Sequence, residues 1–511
     1  MAKKQIHLNF FDITCTGNHM AIGLWRDPND NSSTKDRLDY YIWMAKLAEK
    51  GKITSIFFAD AYAGIDSPTS LTRIGAHKML IADETYQGKF DAAYRGGSMV
   101  AQLEPTMFIS AMAAVTKSVS FGITGSTSYI PPYTLARTWS TLDHVTNGRV
   151  GWNVVTSYSN TAAQAFGKDS VTPHDQRYVE ADEYMELCYA LWEGSWEDGA
   201  QIFDPKRGAY DPSKIHKIKF DGLYHRTNAV GQAHPSPQRT PLVFQAGSSP
   251  SGKAFAAKHA EAVFCGGGKP EDTAPFVKSV REAAAANGRD PTDIKFFPQI
   301  TPILGRTLEE AEAKYERYKQ CIDYEGGLSK ISNFVNFDFS TLPLDEPFIF
   351  DDSGSENSIH TLQKTLKRYD KDGTLTPRKV GEGMAYCGFA PKPVGTPEMI
   401  ADLMEQWMNE ADIDGFNVSY VSNPESYEDV VELLVPELQR RGLMWDDYAV
   451  PGGTFRENMH RSPGDKLLPK THPAEGLRYE NLKMAGKTDA AGHVVIDKAK
   501  EAENLAEGST H

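Results

Sequence analysis

The sequence predicts an α/β protein, a closed (β/α)8 TIM barrel with insertions, on three observations. Short apolar runs without polar alternation recur along the chain, as expected of strands buried on both faces of a parallel sheet. Segments with helical spacing separate them, and about eight such strands can be counted, which favours a closed barrel over an open doubly wound sheet. No Gly-x-Gly-x-x-Gly turn follows the first strand, so a dinucleotide-binding domain is not supported.

Residues 7–13 (HLNFFDI) read as the first strand. Residues 34–50 place Leu38, Tyr41, Ile42, Met44, Ala45 and Leu47 at helical spacing. Residues 56–59 (IFFA) form a second strand ending at Asp60, and a Gly-rich connection leads to a helix at 106–116. VSFGITGS at 119–126 is the third strand; Pro131 and Pro132 break the chain before a helix at 134–145, which Gly148 stops. VGWNVVT at 150–156 is the fourth strand, followed by a long helix at 177–192. The strand beginning at Leu242, then 262–265, 294–304 and 415–421, complete the set, and a helix at 428–440 follows.

Three stretches depart from this rhythm within a single barrel domain spanning 1–460. Residues 194–241 are a Pro/Gly/Asp-rich insertion, and 324–388 carry acidic and Gly/Ser-rich runs such as DDSGSENS. An insertion of that length is a candidate lid. Residues 461–511 are a polar C-terminal extension, read as an arm on a partner subunit or as disorder, whose removal should leave ligand binding intact.

The 511 residues carry a formal net charge of -14, and no Lys/Arg-rich run offsets it, which opposes nucleic-acid binding. The five cysteines are widely spaced without a CxxC pair, which fits reduced cytoplasmic thiols better than a disulfide framework or zinc site. The N-terminal apolar run is too short for a signal peptide, and no run approaches the ~20 residues of a membrane span. The histidines lack metal-ligand spacing, and no Gly-x-Ser-x-Gly elbow is visible.

Among candidate site residues, LVFQAGSSPSG at 242–252 is the most informative. Ser249 before Pro250 reads as a helix N-cap, and the amides behind it suit an anion, with Ser248 and Ser249 adding hydroxyls. A capped turn without ligand is the alternative. Asp60 stands at a strand end, where barrel enzymes place functional groups, although such residues also serve as loop anchors. His174 and Tyr178 share one face of a helix start, with Arg177 between them, and either converge on an anion or are solvated. Thr124 lies among small residues that let a flat ligand approach the backbone. His19, Trp25 and Arg26 follow the first strand as substrate-pocket candidates; packing for Trp25 and an ion pair for Arg26 are the alternatives.

YIPPYTLARTWSTLDHVTNGRVGWNVVTS (129–157), PHDQRYVEADEY (173–184) and PLVFQAGSSPSGKAFAAKHAEAVF (241–264) resemble the flavin-dependent monooxygenases of the bacterial-luciferase superfamily. FFADAY around Asp60, VGTPEMIADLM (394–404) and DGFNVSYV (414–421) fit the branch containing nitrilotriacetate monooxygenase component A and dibenzothiophene-sulfone monooxygenase. The resemblance implies a luciferase-like barrel with FMN at the C-terminal ends of the strands. It implies Asp60 and Thr124 near the isoalloxazine, and His174, Tyr178, Ser248 and Ser249 at the phosphate. It further implies a two-component system, in which a separate NAD(P)H:flavin reductase supplies reduced FMN. Oxygen then reacts at the flavin C4a carbon to give a (hydro)peroxide that oxygenates a small organic substrate, with C–N or C–S cleavage among the outcomes. A homodimer or homotetramer is implied as well. A deazaflavin-dependent oxidoreductase on the same barrel and a non-catalytic flavin-binding protein are the competing readings. Asp27-Pro28 stands where the family commonly carries a histidine, so no known substrate transfers.

Overall fold

The computed structural model describes residues 4–64, 91–335, 339–348, 366, 373–498 and 500. Eight parallel strands close into a barrel: β1 (His7–Ile13), β2 (Ser55–Ala59), β3 (Ser120–Ser126), β4 (Val150–Val155), β5 (Leu242–Gln245), β6 (Ala262–Cys265), β7 (Lys295–Ile300) and β8 (Gly415–Val418). Each strand pairs with its neighbours in sequence, and β8 returns to β1 with Gly415 opposite His7. The predicted 294–304 strand is in fact two. β7 ends at Ile300, and Ile303–Leu304 leaves the barrel to pair with Val394–Gly395.

The interior is filled by aromatic side chains from non-adjacent strands. Phe11 and Phe264 meet at 5.2 Å between ring centroids, Phe57 and Phe244 at 5.3 Å. Small residues on β3 and β4 make room for them: a Cβ on Gly122 would lie 3.0 Å from the Phe57 ring, and one on Gly151 3.1 Å from Phe244. Such large-against-small packing makes the barrel a solid core and confines function to its rim.

Helices cover the outside: α1 (Leu38–Lys50), α2 (Thr106–Ala114), α3 (Pro132–Val145), α4 (His174–Tyr189), α5 (Pro250–His259), α6 (Pro270–Ala286), α7 (Leu308–Cys321), α8 (Tyr324–Val335), α9 (Pro377–Ala385) and α10 (Pro397–Ala411). Proline opens α3, α5, α6, α9 and α10, where its missing N–H costs nothing. Within the 324–388 stretch, α8 and α9 pack through Leu328, Ile331, Val335, Val380 and Met384 as a second apolar cluster. The DDSGSENS run and most of the Gly-rich connection after Asp60 lie outside the described residues.

The C-terminal part of the chain closes the floor of the barrel and then turns to the 194–241 insertion. Phe455 reaches up to Phe244 at 5.6 Å, and the buried Arg456 guanidinium donates to both carboxylate oxygens of Glu261 at 2.6 and 2.9 Å. Val494–Asp497 adds a parallel strand to Lys217–Asp221, which pairs in turn with Arg226–Val230. The Tyr479 ring stacks on His216 at 3.4 Å, and a ring nitrogen of His472 lies 3.0 Å from the His259 carbonyl on α5. Residues 461–498 therefore lie against their own chain, where the sequence suggests an arm on a partner subunit or disorder. Their few apolar side chains are spread through polar sequence, which hid that role. Among the described residues, no helix is long and apolar enough to cross a membrane, and all five cysteines are free thiols.

Candidate active site

A cavity of about 290 Å³ opens at the C-terminal ends of β2, β4 and β5. Asp60 and Ala61 line it from β2, residues 154–159 from β4, residues 245–249 from β5, and His174, Arg177 and Tyr178 from the start of α4.

One end of this cavity is built for an anion. Ser249 caps α5, its Oγ accepting from the Gly252 amide at 3.1 Å, and Pro250 is the first helical residue, as the sequence predicts. α4 begins at His174, three residues earlier than the sequence pattern implies. Residues opening both helices line the same cavity, bringing two positive dipole ends to one corner. Asp175 ties the two starts together: Ser251 Oγ donates to its Oδ1 at 2.6 Å, and His174 Nδ1 lies 2.8 Å from the same oxygen.

Tyr178 completes the corner. Its ring meets His174 edge-on at 5.3 Å. A Cβ on Gly247 would lie 2.3 Å from the Tyr178 hydroxyl, and one on Gly252 2.9 Å, so both positions need glycine for the phenol to reach the turn. Burial raises the Tyr178 pKa, against the opposing pull of Arg177 and of hydrogen bonds with Ser249, Thr156 and Gln245, which keeps the hydroxyl a neutral donor. The Arg177 guanidinium is buried beside it and donates to the Thr172 carbonyl at 2.5 Å.

The other end is organised by Asp60. Its Oδ1 accepts from the Tyr62 amide at 3.0 Å and from Gln102 Nε2 at 2.7 Å, and the Ala61 amide adds a further hydrogen bond to the carboxyl. Burial, reinforced by Glu104, pushes this carboxyl up to about 6. The surrounding backbone is strained: Tyr62, Met99, Ala101 and Ser157 all have positive φ, between 50° and 63°. Such conformations cost energy and cluster at functional sites. Gln245 Oε1 is buried with no hydrogen-bond partner among the described residues, an arrangement that costs about 1–3 kcal/mol and calls for a donor on whatever fills the cavity. The donor-rich anion corner and this orphaned acceptor fit a flavin mononucleotide with its hydroxylated side chain.

The structure brings Asp60, His174, Tyr178, Ser248 and Ser249 onto one cavity and places Thr124 beneath it. Thr124 Oγ1 donates to the Phe58 carbonyl at 3.0 Å and accepts from Asn153 Nδ2 at 2.8 Å, which holds β2, β3 and β4 in register. The residues after the first strand lie elsewhere. Trp25 Nε1 donates to the Gly96 carbonyl at 3.1 Å, and Arg26 pairs with Asp323 at 2.8 Å, so these two clamp the rim. His19 is buried, and its Nδ1 has no partner. Sequence reasoning missed Gln245 and residues 156–158, although each follows or ends a barrel strand and strand position alone would have flagged them. Gln102 and Tyr62 carried no such signal.

Residues 20–414 match the family model described as luciferase-like monooxygenase. The dimethyl-sulfide monooxygenase of Hyphomicrobium sulfonivorans is 39% identical over 477 residues, 93% of this chain and 94% of that protein. Nitrilotriacetate monooxygenase component A of Aminobacter aminovorans is 33% identical over 460 residues, covering 90% and 97% respectively. The crystal structure of a riboflavin lyase with modified FMN and its substrate riboflavin superposes with a TM-score of 0.79 at 32% identity, over 93% of this chain and 100% of the other.

Proposed function

The chain belongs to the luciferase-like monooxygenase family, and on that premise we propose that it is an FMN-dependent monooxygenase fed with reduced FMN by a separate NAD(P)H:flavin reductase. The observation that carries this reading is the meeting of two helix starts, one glycine turn and Tyr178 at the anion corner of a cavity that also holds the buried Asp60 carboxyl.

In this account the amides opening α4 and α5, with His174, Tyr178, Ser248 and Ser249, hold the phosphate. Gln245 Oε1 accepts from the polar side chain of the cofactor, and Ala61, Val154 and Phe255 supply apolar walls that keep water out. Thr124 keeps the floor rigid. When bound, reduced FMN supplies the electrons that activate O2 for transfer of one oxygen atom to a small organic substrate. Asp60, with its carboxyl pushed up to about 6, would take up and return a proton near neutral pH. Relatives named for a thioether, a long-chain alkane and an amine leave oxygenation at sulfur, carbon or nitrogen open, with C–S or C–N cleavage among the outcomes.

The test is anaerobic titration with reduced FMN, followed by oxygen uptake with a generic flavin reductase and a panel of sulfides and amines. Substrate-dependent oxygen consumption supports the proposal. Binding of a deazaflavin without oxygen use would favour hydride transfer, and flavin binding without turnover on any probe would favour a carrier.

A further inference from the structure

The contacts between α4 and α5 repeat at one offset along both helices. Ser251 Oγ donates to Asp175 Oδ1, and Lys258 Nζ donates to both Asp182 oxygens at 2.6 and 2.8 Å, each pair 76 residues apart. His259 Nε2 stands 2.7 Å from Asp182 Oδ1 at a separation of 77. Between these two rungs the rings of Tyr178 and Phe255, both lining the cavity, pack at 5.7 Å. A constant offset over two turns means that the helices run parallel and in register, which sets their N-terminal ends level at the cavity.

The second rung lies away from the cavity. Asp182 is eight residues beyond His174 and Lys258 eight beyond Pro250, about 12 Å along each helix. The His259 ring is buried, and the Tyr189 hydroxyl lies 3.2 Å from its Nδ1. Burial holds this imidazole below the ordinary histidine range despite the carboxylate beside it. The neutral ring therefore accepts from Tyr189 at Nδ1 and donates to Asp182 from Nε2. Partial burial pushes the Asp182 carboxyl up, but the bonds from His259 and Lys258 outweigh it and hold it well below the usual carboxylate range.

Parallel helices set their positive ends side by side, which is repulsive until an anion lies between them. The corner also has little slack, because the Tyr178 hydroxyl reaches the turn only where Gly247 and Gly252 lack a Cβ. A slide of α5 along α4 by about 0.5 Å is enough to spoil such an arrangement.

We propose that Asp182 is a positioning residue for the phosphate site: through His259 and Lys258 it locks α5 against α4, so that both helix starts and Tyr178 meet one anion. The proposal rests on the FMN reading of the cavity. Because the rung acts on the spacing of the helix starts, its loss weakens a flavin that carries a phosphate and spares one that lacks it.

Calorimetric titration of wild type, Asp182→Ala and Asp182→Asn with FMN and with riboflavin tests it. Wild type is expected to prefer FMN. Asp182→Ala lowers FMN affinity by about fivefold or more and leaves riboflavin affinity unchanged. Asp182→Asn, whose side-chain oxygen still accepts from His259 but no longer attracts Lys258 as an anion, lowers it by about two- to threefold. The buried apolar faces of both helices, Ala181, Tyr184 and Met185 on α4 and Phe255 and Ala256 on α5, are untouched by either change. Should Asp182→Ala not fold, Asp182→Asn decides in its place. A preference for FMN as large in the variants as in wild type, or equal losses for both flavins, would overturn the proposal. No preference for FMN in wild type is a separate outcome: it sinks the phosphate reading itself, and this proposal with it.

Discussion

The side-chain amide of Gln102 donates to Asp60 Oδ1 at 2.7 Å across 42 residues of sequence, fixing the carboxylate that follows β2. This bond and the Tyr62 amide both fall on that one oxygen. A buried carboxyl held in this way costs stability, and that cost is measurable. Because burial raises its folded pKa to about 6 from 3.8, Asp60 binds a proton more readily in the folded state. Its contribution to stability therefore declines as pH rises from 3.8 to about 6 and stays unfavourable above that. Asp60→Asn is expected to raise stability by about 1–3 kcal/mol at pH 7.5, a gain that shrinks towards pH 5. Urea denaturation at both values checks it, and reduced-flavin affinity should fall in the same variant.

Gly247→Ala would place a methyl group 2.3 Å from the Tyr178 hydroxyl and 2.5 Å from Gln245 Nε2. Displacing both side chains is expected to weaken FMN binding by about 1–3 kcal/mol, the usual cost of overpacking. Adding Tyr178→Phe removes one of the two clashes, so the double variant should lose less than the sum of the single losses. A fluorescence titration over the full double-mutant cycle reads this coupling.

His174→Ala and Tyr178→Phe should each weaken FMN by about 1–3 kcal/mol, the scale of a hydrogen bond to a charged group. Quenching of flavin fluorescence gives the affinities; unchanged values in both variants would place the phosphate elsewhere.

Removal of residues 461–511 takes away the His472 contact to the His259 carbonyl, the Tyr479 stack on His216 and the strand beside Lys217–Asp221. His259 belongs to α5, the helix that opens at the anion corner. The truncated chain is expected to express poorly or to lose stability and flavin affinity together, in contrast to the expectation from sequence that removing these residues leaves ligand binding intact. Thermal unfolding and FMN titration of the truncation decide the matter.

Much of the fold was legible because barrel strands are buried on both faces and announce themselves as short apolar runs. The Ser249–Pro250 helix start was legible because capping chemistry is local. Gln102 and Tyr62 were not, because their significance lies in a downstream connection and a left-handed backbone turn. Residues 461–498 escaped for a related reason. Leu477, Tyr479, Leu482 and Val494 are buried, but no periodic run links them.

The central claim is that the two helix starts and Tyr178 grip a phosphate. Parallel calorimetric titrations with FMN and riboflavin, which differ only in that group, test it most directly. The account predicts that FMN binds wild type at least about tenfold more tightly, and that His174→Ala/Tyr178→Phe narrows the gap. Equal affinities for FMN and riboflavin in the wild-type protein would contradict it.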